Sequence, residues 1–291
     1  MFISFGKRPR ARFIRGSLVI GYSCPGTSGR ISISWVPSCH NERSMSHLID
    51  LLVIGAHPDD AEIHAGGLIA LSTLKGLKTA ILDLSEGELG SRGDRTLRRQ
   101  EAKQSAEILG CERFNLQLPD GGIFDHQEFV NKTVTFLRSH RPKFCVLPSP
   151  IDRHPDHQNA HLLLRRALFF SGLPRFNEPE KPWRPEASLW VGGENPPIPD
   201  VVIDISAVWL QKLNAIENYR SQFDPRFDQN QTRISHPSFL QGIVGRSTHW
   251  GSLIHSHYGE AFWFDRPLHP GLTRFLDSLS ESPRINPIGS N

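Results

Sequence analysis

The chain has 291 residues, 38% hydrophobic and 22% charged, enough for one large core and with no apolar run near the roughly 20 residues of a membrane-spanning helix. Its formal charge of +3 is unevenly spread, +6 over residues 1–44 and −3 over the rest. The mildly acidic body does not suggest a nucleic-acid-binding protein, which usually shows a basic face. Cys24, Cys39, Cys111 and Cys145 show no spacing that suggests a zinc or redox pair, so a reducing, cytoplasmic setting fits them best.

Residues 1–44 mix Gly, Ser, Pro and Arg without periodicity and are expected to form an unstructured extension. Three origins stand open: an Arg-rich organellar leader, a basic tail for anionic partners, or a true start of translation at Met45, which is favoured. Leu51–Ala56 then reads as a fully buried strand. Ala61–Lys75 reads as a helix with Ile63, Leu68, Ile69, Leu71 and Leu74 as its apolar stripe and Gly76 as its stop.

Lys78–Leu84 is a predicted strand, and Arg95–Leu109 a helix ended by Gly110. Phe114–Leu118 and Lys143–Pro148 are further strands, each followed by a helix, Gln127–Ser139 and Asp156–Phe170. Cys145 lies in an apolar run and is expected to be a buried thiol. Pro174–Pro199 reads as a loop or lid, Val201–Ile205 as a strand and Ala207–Tyr219 as a helix. Residues 222–248 read as a second irregular region and 278–291 as a flexible tail, leaving 45–277 as a single α/β domain. The alternation predicts a Rossmann-like, mostly parallel sheet with helices on both faces and loop insertions in the C-terminal half. In such sheets the loops after the strands form the site.

Two of those loops carry chemistry. In Gly55-Ala56-His57-Pro58-Asp59-Asp60-Ala61-Glu62, one imidazole and two carboxylates sit where a buried strand hands over to a helix. Helix capping would need one Asp and no His57. The second loop, Ile151-Asp152-Arg153-His154-Pro155-Asp156-His157, again follows a strand and opens a helix. His57, Asp60 and His157 supply two imidazoles and a carboxylate with positions left open, the donor set of a catalytic metal. Such a metal acidifies water and polarises a carbonyl. Asp59 is then the candidate general base, and a protonated His154 held by Asp156 the candidate oxyanion partner. Zn²⁺ suits the ligands, as does Fe²⁺. Gly66-Gly67 falls inside a helix pattern and reads as close packing. GxGxxG, GxxxxGK[ST] and GxSxG strings are absent, which argues against a nucleotide site or a serine nucleophile.

The AHPDDAE string at 56–62 and the HPDH string at 154–157 resemble the two hallmark motifs of the PIG-L/LmbE family of metal-dependent N-acetylglucosaminyl deacetylases. The resemblance implies His57, Asp60 and His157 as zinc ligands, Asp59 as general base and His154 as electrophilic partner. It runs from about Asp50 to about Pro267 and leaves the first 44 residues without a counterpart. Leu84–Gly93, Leu118-Pro119-Asp120, Ile203-Asp204-Ile205, Tyr219–Phe223 and Tyr258–Phe262 are similar to the bacillithiol-biosynthesis branch. That branch implies N-acetylglucosaminyl-malate as substrate and a homotrimer or homohexamer.

Arg92, in a Gly-Ser-Arg-Gly loop, is a candidate contact for a substrate carboxylate. Asp120 is a candidate for sugar hydroxyls or simply the start of a turn. His249, His255 and His257 lack carboxylates at fitting spacing and read as loop or interface histidines, with Tyr258 and Glu260 as weaker substrate-side or interface candidates. The expected partner is a small N-acetylated sugar, with no nucleic acid and no membrane insertion. The alternatives are another N-acetylated sugar or a glycolipid as substrate, or a non-catalytic sugar-binding relative.

Overall fold

An apolar run without alternation, such as Leu51-Leu52-Val53-Ile54, is stable as a strand only where both of its faces are covered. The computed structural model places it so. It describes residues 17–21, 32–36, 49–176, 180–193, 196–264 and 269–280, and the chain divides into two units, Met1–Ser46 and His47–Asn291. In the first, β1 (Ser17–Gly21) pairs antiparallel with β2 (Ser32–Val36), two strands in a stretch where the sequence suggested none. Cys24 and Cys39 lie outside the described residues.

The second unit opens with β3 (Ile49–Gly55), α1 (Asp60–Leu74), β4 (Thr79–Ser85), α2 (Arg95–Leu109) and β5 (Glu112–Leu118). It continues through α3 (Gln127–His140), β6 (Pro142–Leu147), α4 (Pro155–Ser171), β7 (Ala187–Val191) and β8 (Val201–Asp204). A 3₁₀ turn leads into α5 (Trp209–Glu217), then the short α6 (Arg220–Phe223), α7 (Pro237–Ser252), β9 (Gly259–Phe264) and α8 (Pro270–Ser280). The seven-stranded sheet has the order β5-β4-β3-β6-β7-β9-β8, and β9 alone pairs antiparallel with its neighbours. The mostly parallel sheet expected from the sequence is therefore present.

Leu51 and Val53 belong to one core layer, under α1, α2, α5 and α8, while Leu52 and Ile54 belong to the other, over α3 and α4. Cys145 is fully buried in the second layer, as expected of an inert thiol. Two expectations need correction. The region 174–199 contains β7, a short strand paired with both β6 and β9, and the region 222–248 runs into the sixteen-residue α7. The last helix reaches Ser280, and the rest of the predicted tail lies outside the described residues. Among the described residues, no helix is long and apolar enough to cross a membrane.

α1 breaks at Ala65, whose φ of −139° and ψ of 16° are not helical. A break leaves backbone donors and acceptors without helical partners. Glu260, on β9, accepts the Gly67 and Leu68 N–H groups, one on each carboxylate oxygen at 2.7 Å. Lys212, on α5, donates to the Ile63 carbonyl at 2.9 Å and to Glu260 Oε1 at 2.6 Å. A Cβ at Gly67 would lie 2.5 Å from Ile205, so glycine is required for this close approach. Glu260 is thus a buried clamp on a broken helix, not a substrate-side residue. Glu260→Ala strands a buried ammonium and two backbone donors and is expected to cost about 3–5 kcal/mol in urea unfolding, with Lys212→Ala comparable.

Candidate metal and active site

The chain runs outward from β3 through β4 to β5, then returns to lay β6 on the opposite side of β3. The loops after β3 and β6 therefore diverge from adjacent strand ends, the crevice where open α/β sheets bind ligands. The two motif loops meet there. Asp59 precedes α1 with a φ of 114°, a conformation strained for a residue other than glycine. The His57 N–H donates to Asp60 Oδ2 at 2.9 Å and holds the turn closed.

The Asp60 carboxylate lies between two rings, 3.6 Å from His57 Nδ1 and 3.3 Å from His157 Nε2. Two ligands held about 2.0–2.1 Å from one ion stand about 3.3–3.4 Å apart, and each separation is near that value, His57 on one Asp60 oxygen and His157 on the other. The second nitrogen of each ring also faces carboxylate. His57 Nε2 lies 3.0 Å from Asp120 and 3.2 Å from Asp156, and His157 Nδ1 lies 3.2 Å from Asp152. Imidazoles backed by carboxylates in this way are typical metal ligands. Among the described residues, the donor groups whose ligand atoms all lie within 4.8 Å of one another are His57 with His154 and His157, and His57 with Asp120 and Asp156; Asp60 belongs to neither.

Charge follows this geometry. Burial alone would lower His57, yet Asp120, Asp156 and Asp60 hold its pKa well above the usual value. Burial is likewise outweighed at His157, which Asp60 and Asp152 push up to about 10. Asp60 stays well below the usual carboxylate range because His157 and His57 overcome its burial. Asp59 is the exception. Burial raises it to about 7, with Arg98, 3.7 Å away, only partly opposing the shift. A carboxylate poised near neutrality is matched to proton transfer.

Other expected site residues sit differently. The Asp156 carboxylate does not hold His154; it faces His57 and accepts the Gly121 N–H at 2.8 Å. His154 Nδ1 instead accepts the Asp156 backbone N–H at 3.2 Å, which leaves the N–H of a neutral ring on Nε2. Burial, with His57 and His157 nearby, lowers the His154 pKa. Asp120 lines the cavity, but its carboxylate is engaged by His57 and by the Leu89 N–H at 2.8 Å. Arg92 needs correction. It is 2% exposed, lies outside the cavity lining and donates to the Gln222 and Asp224 carbonyls at 3.4 and 2.6 Å. It ties the loop after β4 to α6. His249, His255 and His257 belong to no metal-competent group among the described residues.

The cavity measures ≈ 520 Å³. Its lining includes residues that sequence reasoning missed. His64 lies one helical turn beyond Asp60, a spacing that pointed to it. Arg233 and Arg246 come from the region left irregular and had no such signal. Arg98 is buried, donating to the Pro58 carbonyl at 2.9 Å and the Gly87 carbonyl at 2.6 Å. It binds α2 to both neighbouring loops. Gly87 has a φ of 67°, and a Cβ there would collide with the Arg98 guanidinium.

Fold and centre together define a doubly wound α/β protein with a metal-competent imidazole–carboxylate site at its switch point. The chain belongs to the PIG-L family: the family model described as GlcNAc-PI de-N-acetylase matches residues 52–168. The chain is 35% identical over 186 residues to the diacetylchitobiose deacetylase of Thermococcus kodakarensis, covering 60% of this chain and 70% of that protein. It is 28% identical over 206 residues to the 4-oxalmesaconate hydratase of Pseudomonas putida, covering 62% and 77%. Among solved structures, the conserved protein TT1542 from Thermus thermophilus is similar at a TM-score of 0.70 and 35% identity, over 76% of this chain and 96% of that one. Family membership supports an N-acetyl-sugar deacetylase activity.

Two outcomes are expected. Arg92→Ala removes charged hydrogen bonds to backbone and lowers stability by about 1.5–3 kcal/mol in urea unfolding, with KM within about twofold of wild type. In chelator-treated protein, the raised His157 pKa contributes stability that is complete below about 6.5 and lost as pH rises towards about 10. The melting temperature should fall over that interval, and saturating Zn²⁺ should flatten the decline.

Proposed function

We propose that the protein is a metal-dependent amidohydrolase that removes the N-acetyl group from an N-acetylglucosamine conjugate. The observation that carries this reading is the placement of Asp60 between His57 and His157, each ring backed by a further carboxylate, beside a buried Asp59 whose carboxylate has Arg98, at 3.7 Å, as its ion-pair partner among the described residues. His57, Asp60 and His157 would hold the ion, with Zn²⁺ or Fe²⁺ suiting the donors. When bound, a divalent ion supplies Lewis acidity to the amide carbonyl and to the attacking water.

The residues divide the remaining work. Asp59 takes the proton of the attacking water and returns it to the departing amine, so that amide and water become acetate and free amine. His154 offers its Nε2–H to the oxygen that gains charge. Asp156 and Asp120 hold the His57 ring through Nε2, and Asp152 holds His157 through Nδ1. Asp120 thus acts as a positioning group rather than as a contact for sugar hydroxyls.

Arg153, Arg233 and Arg246 line the cavity, and guanidinium groups suit a conjugate bearing carboxylate or phosphate. This favours an anionic conjugate such as N-acetylglucosaminyl-malate, to which the sequence segments around Gly90 and Tyr258 also point. The same arginines leave a second reading, hydration of an unsaturated polycarboxylic acid, as the name of the P. putida relative describes for that protein. Acetate release separates the two. Wild-type protein is expected to release acetate from N-acetylglucosamine conjugates and to lose that activity with a chelator. Asp59→Asn should lower kcat by about 10²–10⁴-fold while bound metal, measured by elemental analysis, is retained. An Asp59→Asn variant of unimpaired activity would overturn the assignment.

A further inference from the structure

A second, smaller cavity of ≈ 50 Å³ adjoins the catalytic one. The two share Ile63, His64, Gly193 and Arg246 as lining. The remaining walls of the small chamber include Trp250, Trp263, Ser247 and the buried Lys212–Glu260 pair. Its size is informative. A space of that size admits more than one water-sized group, the scale of a small carboxylate such as acetate.

The charge is also informative. Glu260 is met on both oxygens, by the Gly67 and Leu68 N–H groups and by Lys212. The Lys212 ammonium has three donors, and Ile63 and Glu260 take two of them. Arg246 brings a second cation to the shared wall. The main cavity carries charge of both signs, with Asp59, Asp60, Asp120 and Asp152 beside Arg98, Arg153 and Arg233. Acetate formed in the main cavity meets the small chamber across the wall that the two share. Attraction towards Arg246, on that shared wall, acts in the direction of the small chamber.

We propose that the chamber behind His64 and Arg246 receives the acetate product, its carboxylate facing Arg246 and Lys212 and its methyl group against Trp250 and Trp263. The role as a product site rests on the deacetylase reading; the binding itself does not. It is measured with ¹³C-labelled acetate titrated into chelator-treated full-length protein and followed by NMR line broadening. Ser247→Phe fills the chamber, and Arg246→Gln removes a cation at an exposed position where folding should be unaffected. Wild-type protein is expected to bind acetate with the metal removed, and both variants to bind it about tenfold more weakly, Arg246→Gln at unchanged melting temperature. In the metal-loaded enzyme, inhibition by added acetate should weaken to the same extent, with KM for the N-acetylated substrate unchanged in Ser247→Phe.

No broadening with wild type, or equal broadening in all three proteins, overturns the chamber. If Ser247→Phe does not fold, Arg246→Gln carries the same comparison. Variant-sensitive acetate binding by a protein that releases no acetate from any N-acetylated sugar overturns the deacetylase reading, and with it the product role.

Discussion

Four carboxylates, Asp60, Asp120, Asp152 and Asp156, converge on two imidazoles at the carboxyl ends of adjacent strands. Carboxylates gathered around the same two rings repel, and partial burial reduces the solvent screening that would relieve them. Positive charge must be present for the crevice to exist. Without metal it comes from the raised His57 and His157 side chains, which hold protons that a free histidine would have lost. A divalent ion offers the same charge at one point and frees both rings to act as neutral ligands. The site is therefore organised for a cation before any substrate arrives.

That requirement explains the surrounding scaffold. Arg98 adds a guanidinium behind Asp59 and at the same time binds the loops after β3 and β4 to α2. Arg92 and Gln222 exchange hydrogen bonds that secure the loop after β4 against α6. Lys212 and Glu260 hold the two halves of α1 across its break. The first half of that helix carries Asp60 and His64 into the cavity, while the second half is packed into the core. Charged side chains thus do in the interior what regular helix hydrogen bonds do elsewhere. The strained backbone at Asp59 is held by the same surroundings, and it aims a carboxylate that burial keeps near neutrality.

The relatives of this chain differ in the chemistry their names describe, sugar deacetylation in one and hydration in another. An ion flanked by a carboxylate base serves both reactions, since each begins with water losing a proton near an activated substrate. The choice falls to the walls of the cavity. There the arginines of the loop after β6 and of the 222–248 region line the larger cavity, and the small chamber beside α7 adjoins it.

The alternation of strands and helices, the position of both motif loops and the identities of His57, Asp59, Asp60, His154 and His157 are all legible in the sequence. Each depends on residues a few positions apart, joined by one turn. The bond partners were not legible. Asp152 on His157 and Asp120 and Asp156 on His57 depend on strands brought side by side from distant segments. Arg92 looked exposed in a glycine-rich loop, and only the return of residues 220–224 buried it. β7 escaped notice because five residues among prolines and glycines gain strand structure mainly from pairing with β6 and β9. Local chemistry was determined by the sequence itself, because tight turns place neighbouring side chains together whatever the rest of the chain does. Charge balance, cavity walls and the pairing of Glu260 with a broken helix were decided by the tertiary structure, because they arise only between groups that meet through folding.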